Sequence, residues 1–372
     1  MQRKDVIRII AIVIAVITIS IITIVMTPSE TVLPIPPPHG SQTSTNNDTK
    51  AIEILAEKLT TPWSMDQSQD GRIFFTERPG RIRVISSNGN LLPDPVAYIR
   101  VENIGEGGLL GLALHPDFMN NHKLYVYQTY SNKSGIFNKV IMLTENNNTI
   151  TDSKIILDGI PGGQFHNGGR IKFGPDGKLY VSTGDTARPE LAQDLKSLAG
   201  KILRLNDDGS IPSDKPNRSA IYAYGFRNLQ GIAWDNKNIM YASDQGETGN
   251  DELNLISPML NYGWPISECN SEPKFTAPVI CFNPAIAPSS IIIAHSNKLG
   301  YKGDLLMSTL RATHLRLIDL ESKNQENILV GYGRLRDILE SRDGSLYVAT
   351  SNTDGRGIPQ ANDDKILKIV KP

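Results

Sequence analysis

The chain has 372 residues, 39% of them hydrophobic and 21% charged, enough apolar side chain for one large β domain or two ordinary domains. Thirty-eight Lys and Arg against thirty-nine Asp and Glu leave a formal net charge of −1, which excludes the broad positive field of a nucleic-acid-binding protein. Two cysteines, Cys269 and Cys281, exclude a disulfide-rich scaffold, and with no CxxC or histidine cluster near them neither looks like a metal ligand.

The chain opens with "VIRIIAIVIAVITISIITIVM" at 6–26, whose stretch from Ile9 to Met26 carries no charge and has the length of a helix that spans a bilayer core. Arg3, Lys4 and Arg8 precede this stretch, and no Lys or Arg follows before Lys50. The positive-inside rule then predicts a cytoplasmic tip and transmembrane helix over 1–26, a membrane anchor with everything after Met26 on the external side. A cleaved signal peptide is the alternative. Its apolar region is usually shorter and ends in a small-x-small site, whereas Thr27-Pro28 follows here. Residues 27–50, "TPSETVLPIPPPHGSQTSTNNDTK", predict a disordered linker, because nothing in them can pack a core. An external location permits a Cys269–Cys281 disulfide, two unpaired thiols being the other possibility.

From Ala51 to the C-terminus, helix periodicity is scarce and one pattern returns: a turn with Asp or Gly, four to six alternating β-formers, then a polar loop. The copies are "DGRIFFTERPGRIRVI", "NNHKLYVYQTY", "PDGKLYVSTGD", "NKNIMYASDQG", "KGDLLMSTL" and "RDGSLYVATSN". Phe74, Tyr125, Tyr180, Tyr241, Leu306 and Tyr347 mark them at intervals of about 40 to 65 residues, which suits one four-stranded blade per copy. Residues 51–372 are therefore predicted to form an all-β, six-bladed β-propeller, with an open sandwich as the other architecture. "GRIRVI", "GKILRL", "HLRLIDL" and "DKILKIV" read as strands pairing outward in the same blades, and "AIEILAEKL" at 51–59 is placed to share a blade with the last strand and close the ring.

Loops at the ends of the repeated strands gather round a propeller's channel, so residues distant in sequence can meet there. His166 sits between two glycine pairs in "GGQFHNGGR". An imidazole there suits a general base, since it titrates near neutral pH and glycines leave room for a ligand, and it equally suits a structural role. Asp185 in "STGD" either orients that imidazole or starts a turn. Arg227 and Asn228 in "YGFRNLQG" offer an anion or oxyanion contact, or a salt bridge within a blade. Arg334 and Arg336 in "YGRLRD" stand two apart, so on a strand they face one way as a clamp for carboxylates or as a solvated face. "SDQGETGNDELNLI" gathers Asp244, Glu247, Asp251 and Glu252, oxygen ligands of the kind calcium favours, without EF-hand spacing; an acidic turn holding no metal is the other reading.

Taken in order from about Thr61 to Ile369, these segments resemble the glucose/sorbosone dehydrogenases, the family of soluble quinoprotein glucose dehydrogenases and aldose sugar dehydrogenases. The stretches that carry the resemblance are "PWSM", "GEGGLLGLALHPDF", "HNGGRIKFGPDGKLYVSTGD", "GKILRLNDDGSIP", "YGFRNLQGIAWD", "DQGETGNDELNLI", "NYGWP", "IAPSS" and "GRLRDILESRDGSLYV". The resemblance implies a six-bladed propeller that uses pyrroloquinoline quinone (PQQ) and Ca2+ to oxidise aldoses at the anomeric carbon to lactones, passing electrons to an external acceptor. It implies His166 as the base, Asp185 as its hydrogen-bond partner and Arg227 as the group that stabilises negative charge on the reduced quinone. Asn228, Arg334 and Arg336 are implied to hold the cofactor, and main-chain carbonyls of Gly246 and Glu247 to hold calcium beside it. Glu252 and Tyr262 are implied for a second, structural calcium.

Three positions depart from the glucose enzymes, where Glu106 of "GEGG" replaces Gln, Arg311 of "STLRATH" replaces Lys, and Glu247 replaces Pro. The first two fall at implied cofactor contacts, and the third still offers its carbonyl. Phe282-Asn283 stands near a substrate-stacking Trp of those enzymes, so the resemblance points away from glucose as the main substrate. Two other classes stay open on the residues: a sugar- or protein-binding propeller without the chemistry, and a calcium-dependent lactone hydrolase in which acidic side chains hold the metal and activate water.

Overall fold

Between strands, Asp-Gly pairs make the turns: in "DGRIF" and "DGKLY" the glycine takes a left-handed conformation, φ 90° at Gly71 and 70° at Gly177, that other residues rarely adopt. The computed structural model of the protein describes residues 51–214, 219–269 and 272–370. The anchor predicted at 1–26 and the linker at 27–50 lie outside the described residues. Among the described residues no helix is long and apolar enough to cross a membrane.

The strands of the Thr49–Pro372 unit form six four-stranded antiparallel sheets, the blades of a propeller. Blades 1 to 5 each use four consecutive strands, over 62–98, 109–161, 171–224, 229–282 and 288–328. Blade 6 takes its first three strands from 335–370 and its outer strand from Ala51–Ala56, which pairs antiparallel with Ile366–Val370 from Ala51↔Val370 to Ala56↔Ile366. This joins the two ends of the domain in one sheet, as the sequence predicted, and fastens the first and last segments of the ring to each other.

Every repeated motif is the second strand of its blade: Ile73–Glu77, Lys123–Asn132, Leu179–Ser182, Met240–Asp244, Leu305–Thr309 and Leu346–Thr350. The marking residue of each copy is buried, and each packs in an apolar layer between its own blade and the next. Phe74 meets Leu112 and Val126, Tyr125 meets Ile171 and Leu179, Tyr180 meets Ile232 and Met240, Tyr241 meets Ile291 and Leu305, Leu306 meets Ile338 and Val348, and Tyr347 meets Met65 and Phe75. The core is thus six interblade layers rather than one centre, and burying each such side chain contributes roughly 1.5–3 kcal/mol. The repeat is visible in sequence because each layer needs the same large side chain at the same place.

Cys269 and Cys281 form a disulfide with Cα atoms 5.5 Å apart, closing a segment of blade 4 over a separation of 12 residues. Loop-closure entropy for a segment of this length gives a stabilisation of about 3 kcal/mol. Replacing both cysteines by serine is expected to lower the unfolding free energy by about that amount in urea denaturation, with the slope against denaturant rising as the unfolded chain expands.

Candidate active site

Residues at the starts of the inner strands and in the loops around them, drawn from all six blades, line one cavity of about 320 Å³, with Asp251 at the start of a third strand. His166, Arg227, Glu106, Arg311, Arg334, Arg336, Gly246 and Glu247 all border it. Asp185 and Asn228 stand directly behind its wall, and Glu252 and Tyr262 border a smaller neighbouring cavity.

His166 lies in the loop before the inner strand of blade 3 and has φ 53°, an unusual conformation for a residue with a side chain. Three contacts hold it there. Glu106 Oε2 accepts its backbone N–H at 2.8 Å, its carbonyl accepts the Thr186 N–H at 3.2 Å, and Gly184 lies so close that a Cβ there would stand 1.9 Å from the His166 oxygen. The imidazole Nδ1 is 2.8 Å from Asp185 Oδ1. Asp185 is fully buried, and it also accepts the Ala187 N–H on Oδ1 and the Trp264 indole N–H on Oδ2, each at 2.8 Å. With both its oxygens accepting, Asp185 assigns the proton to His166 Nδ1 and leaves Nε2 as the acceptor.

Glu106 is therefore committed to the His166 backbone and to Arg356, whose Nη1 is 2.8 Å from Glu106 Oε1, although it also borders the cavity. Asn228 departs from its implied contact with cofactor. It is fully buried, its Oδ1 accepts the Gly168 N–H at 3.1 Å and its Nδ2 donates to Gln245 Oε1 at 3.0 Å, so it braces the wall from behind.

Six arginines border the cavity: Arg78, Arg227, Arg311, Arg334, Arg336 and Arg356. Arg334 precedes the inner strand Leu335–Glu340 of blade 6 and Arg336 lies within it, yet both reach Asp354, at 2.8 Å and 3.7 Å. Burial alone would raise the Asp354 carboxyl, but the charges of Arg336 and Arg334 hold it below its ordinary value. Arg336 donates to Gln230 Oε1 at 2.6 Å and lies 5.6 Å over the Trp63 ring. Burial pushes its guanidinium down to about 9. The Nε atoms of Arg336 and Arg78 are buried with no hydrogen-bond partner among the described residues. Both residues border the cavity, and a wall that carries six guanidiniums is a mould for an anion; a tricarboxylated quinone fits that donor set. Arg227 has no carboxylate partner among the described residues; it lies 5.4 Å over the Trp264 ring and donates to the Gln245 carbonyl at 3.2 Å.

The acidic loop does not form the side-chain cage suggested by its composition, and among the described residues no group of three or more His, Cys, Asp or Glu is placed to hold a metal. Asp251 spends its carboxylate on the N–H groups of Gly246, Ile286 and Ala287, and Asp244 on those of Arg227 and Asn228. The carbonyls of Gly246 and Glu247 are different, since among the described residues neither accepts a hydrogen bond. Free carbonyls at a cavity wall suit a hard cation such as calcium. In the smaller cavity Asp244, Glu252 and Glu268 meet Tyr262. Burial, and then the Glu252 charge, push the Asp244 carboxyl well up, and burial raises Glu252. The Tyr262 hydroxyl is already engaged, donating to the Leu255 carbonyl at 2.8 Å, so only its main chain remains for an ion.

Phe282 does not face a substrate. It is 5% exposed and packs in the layer with Leu253 and Ile291, which leaves Asn283 alone at the surface. Several wall residues escaped the sequence reading. Trp63 and Trp264 sit in "PWSM" and "NYGWP", but a motif does not say that one forms the cavity wall under two guanidiniums and the other holds Asp185. Gln230 and Arg78 likewise sit in quoted stretches that do not assign them to the wall, and Asp354 and Arg356 carry no local signal.

A profile described as Glucose / Sorbosone dehydrogenase matches residues 59–361. Quinoprotein glucose dehydrogenase B of Acinetobacter calcoaceticus is 34% identical over 267 residues, 63% of this chain and 55% of that protein. Aldose sugar dehydrogenase YliI of Escherichia coli (strain K12) is 28% identical over 342 residues, 82% of this chain and 91% of that protein. Among solved structures, the PQQ-bound aldose sugar dehydrogenase of Streptomyces coelicolor superposes with a TM-score of 0.79 at 34% identity, covering 88% of this chain and 99% of that one. The propeller, the histidine held over an arginine-lined cavity and the match across nearly all of the described domain agree, and the chain belongs to the glucose/sorbosone dehydrogenase family.

Proposed function

We propose that this protein is a PQQ-dependent aldose sugar dehydrogenase that uses calcium beside the quinone. The observation that carries this reading is the His166 imidazole, tied to buried Asp185, at the wall of a cavity bordered by six arginines. A bound quinone would supply the acceptor for the anomeric hydride, and a cation held by the Gly246 and Glu247 carbonyls would supply a polarising charge beside it. The chain's own residues supply the rest. His166 Nε2 takes the anomeric hydroxyl proton, and Asp185 keeps the ring oriented and stabilises the imidazolium that results. Arg334, Arg336 and Arg78 would orient the carboxylates of the quinone, Arg311 adds an exposed cation at the rim, and Arg227 would stabilise the negative charge of its reduced form. Full-length protein given calcium and the quinone is expected to reduce an artificial acceptor with at least one aldose. Failure with every aldose overturns the reading. Lactone hydrolysis without quinone would put the hydrolase in its place, although the acidic side chains that mechanism needs are bound to backbone N–H groups here.

Calcium affinity is expected to fall with falling pH. Asp244 and Glu252 both have raised pKa values, so a cation that uses them displaces protons, and protons compete more strongly as pH drops. Calorimetric calcium titrations at two pH values check this, and equal affinities would show that calcium binds through carbonyls alone.

The uncharged run Ile9–Met26 behind Arg3, Lys4 and Arg8 supports an anchor with the propeller on the external side. Full-length protein is then expected to stay with membranes in alkaline carbonate and to be cut by protease added outside. Recovery as a free cytoplasmic protein would reject the anchor.

A further inference from the structure

"GKILRL" contributes a group that the proposed chemistry does not use. Lys201 opens the third strand of blade 3 and its side chain is wholly buried. No carboxylate lies within ion-pair distance of it among the described residues. Instead its Nζ donates to the carbonyls of Leu191, Ala192 and Ala199 at 2.8, 3.0 and 2.6 Å. Burying an ammonium costs several kcal/mol unless it is well bonded, so an ordinary strand position would not carry one.

The three carbonyls belong to the connection 183–200, which also carries Asp185. Two routes lead from the ammonium to that carboxylate. At the end of the 3-10 helix Pro189–Ala192, Gln193 donates to the Trp264 carbonyl at 2.6 Å and exchanges bonds with Asn261 at 3.1 and 2.7 Å. Trp264 in turn donates its indole N–H to Asp185. At the other end, Gly200, next to Lys201, donates its N–H to the Gly184 carbonyl at 2.9 Å, and Gly184 adjoins Asp185.

We propose that Lys201 is a positioning residue for the general base: its buried ammonium gathers the 183–200 connection so that Trp264 and Gly184 hold Asp185, and through it the His166 ring, in the reactive orientation. This rests on the dehydrogenase reading for its kinetic consequence but not for its structural one. A displacement of the base by about 1 Å is enough to cost roughly a hundredfold in rate. Lys201→Met, similar in length and uncharged, is therefore expected to lower kcat by about 10- to 100-fold while sugar KM and quinone Kd stay within about threefold.

The deciding test is a double-mutant cycle with Asp185→Asn. If Lys201 acts through Asp185, adding Lys201→Met to Asp185→Asn costs little more than Asp185→Asn alone. Losses that multiply would mean two separate effects and overturn the proposal. Gln193→Leu breaks the first route without touching a buried charge, and it decides the matter if Lys201→Met does not fold. A lowered kcat at unchanged quinone affinity supports the relay, and an unchanged kcat overturns it. A readout independent of turnover is the downfield proton resonance of His166 Nδ1–H, assigned by its loss in His166→Ala. It is expected to shift or broaden in Lys201→Met and Gln193→Leu; an unchanged resonance overturns the proposal even in a protein that oxidises no sugar, an outcome that by itself would sink only the dehydrogenase reading.

Discussion

His166→Ala is expected to slow sugar-driven quinone reduction by about a hundred- to ten-thousand-fold, the contribution of a positioned general base. Quinone affinity is expected to stay nearly unchanged, because the cationic groups that would hold the carboxylates lie on other loops. Asp185→Asn is expected to have a smaller effect on kcat, since the ring remains but its tautomer and the imidazolium lose their partner. The effect should exceed that of a simple hydrogen-bond loss, because the Asn side chain must place either its NH2 or its carbonyl opposite each of Nδ1 and the Trp264 indole, and cannot accept from both plus Ala187 as the carboxylate does. Stopped-flow mixing of quinone-loaded protein with sugar measures both rates directly. A His166→Ala protein as fast as wild type would make His166 structural and leave the site without a base.

The second large effect belongs to Arg336. Truncating one member of a buried, hydrogen-bonded charge pair costs about 2–5 kcal/mol in binding, so Arg336→Met is expected to weaken quinone affinity by about 30-fold to several-thousand-fold. Arg311→Ala is the informative contrast. Arg311 is exposed and makes no ion pair among the described residues, so its contribution is screened and its loss should cost no more than about 1 kcal/mol. Folding should survive Arg336→Met, because Asp354 keeps Arg334 at 2.8 Å. Equilibrium titration followed by quinone absorbance, with calcium present throughout, reads both values. Equal losses at the two positions would mean that the carboxylates sit at the rim rather than at the Trp63 end of the cavity.

What the sequence determined by itself was set by repetition and by local backbone rules. A layer between blades needs a large apolar residue at one place in every second strand, so Phe74, Tyr125, Tyr180, Tyr241, Leu306 and Tyr347 betray the six blades, and "AIEILA" paired with "KILKIV" betrays the closure. Glycines around His166 are legible for a related reason, since a residue held at φ 53° against a neighbouring loop needs partners without side chains. Tertiary structure alone decided which polar groups were already spent. Glu106, Asn228 and Asp251 look like ligands in sequence, but Glu106 and Asn228 are taken by backbone N–H groups 60 residues along the chain, and Asp251 by those of Ile286 and Ala287 as well as its neighbour Gly246. Phe282 looks like a platform and is core, because its position in the outer strand of blade 4 turns it toward blade 5. Trp264 and Lys201 sit in motifs that do not say what they hold, Asp354 carries no motif, and each acquires its role from a partner 79, 10 or 20 residues away. A propeller brings loops from all six blades to one channel, so the identity of the converging groups is written locally while their occupancy is settled only where the loops meet.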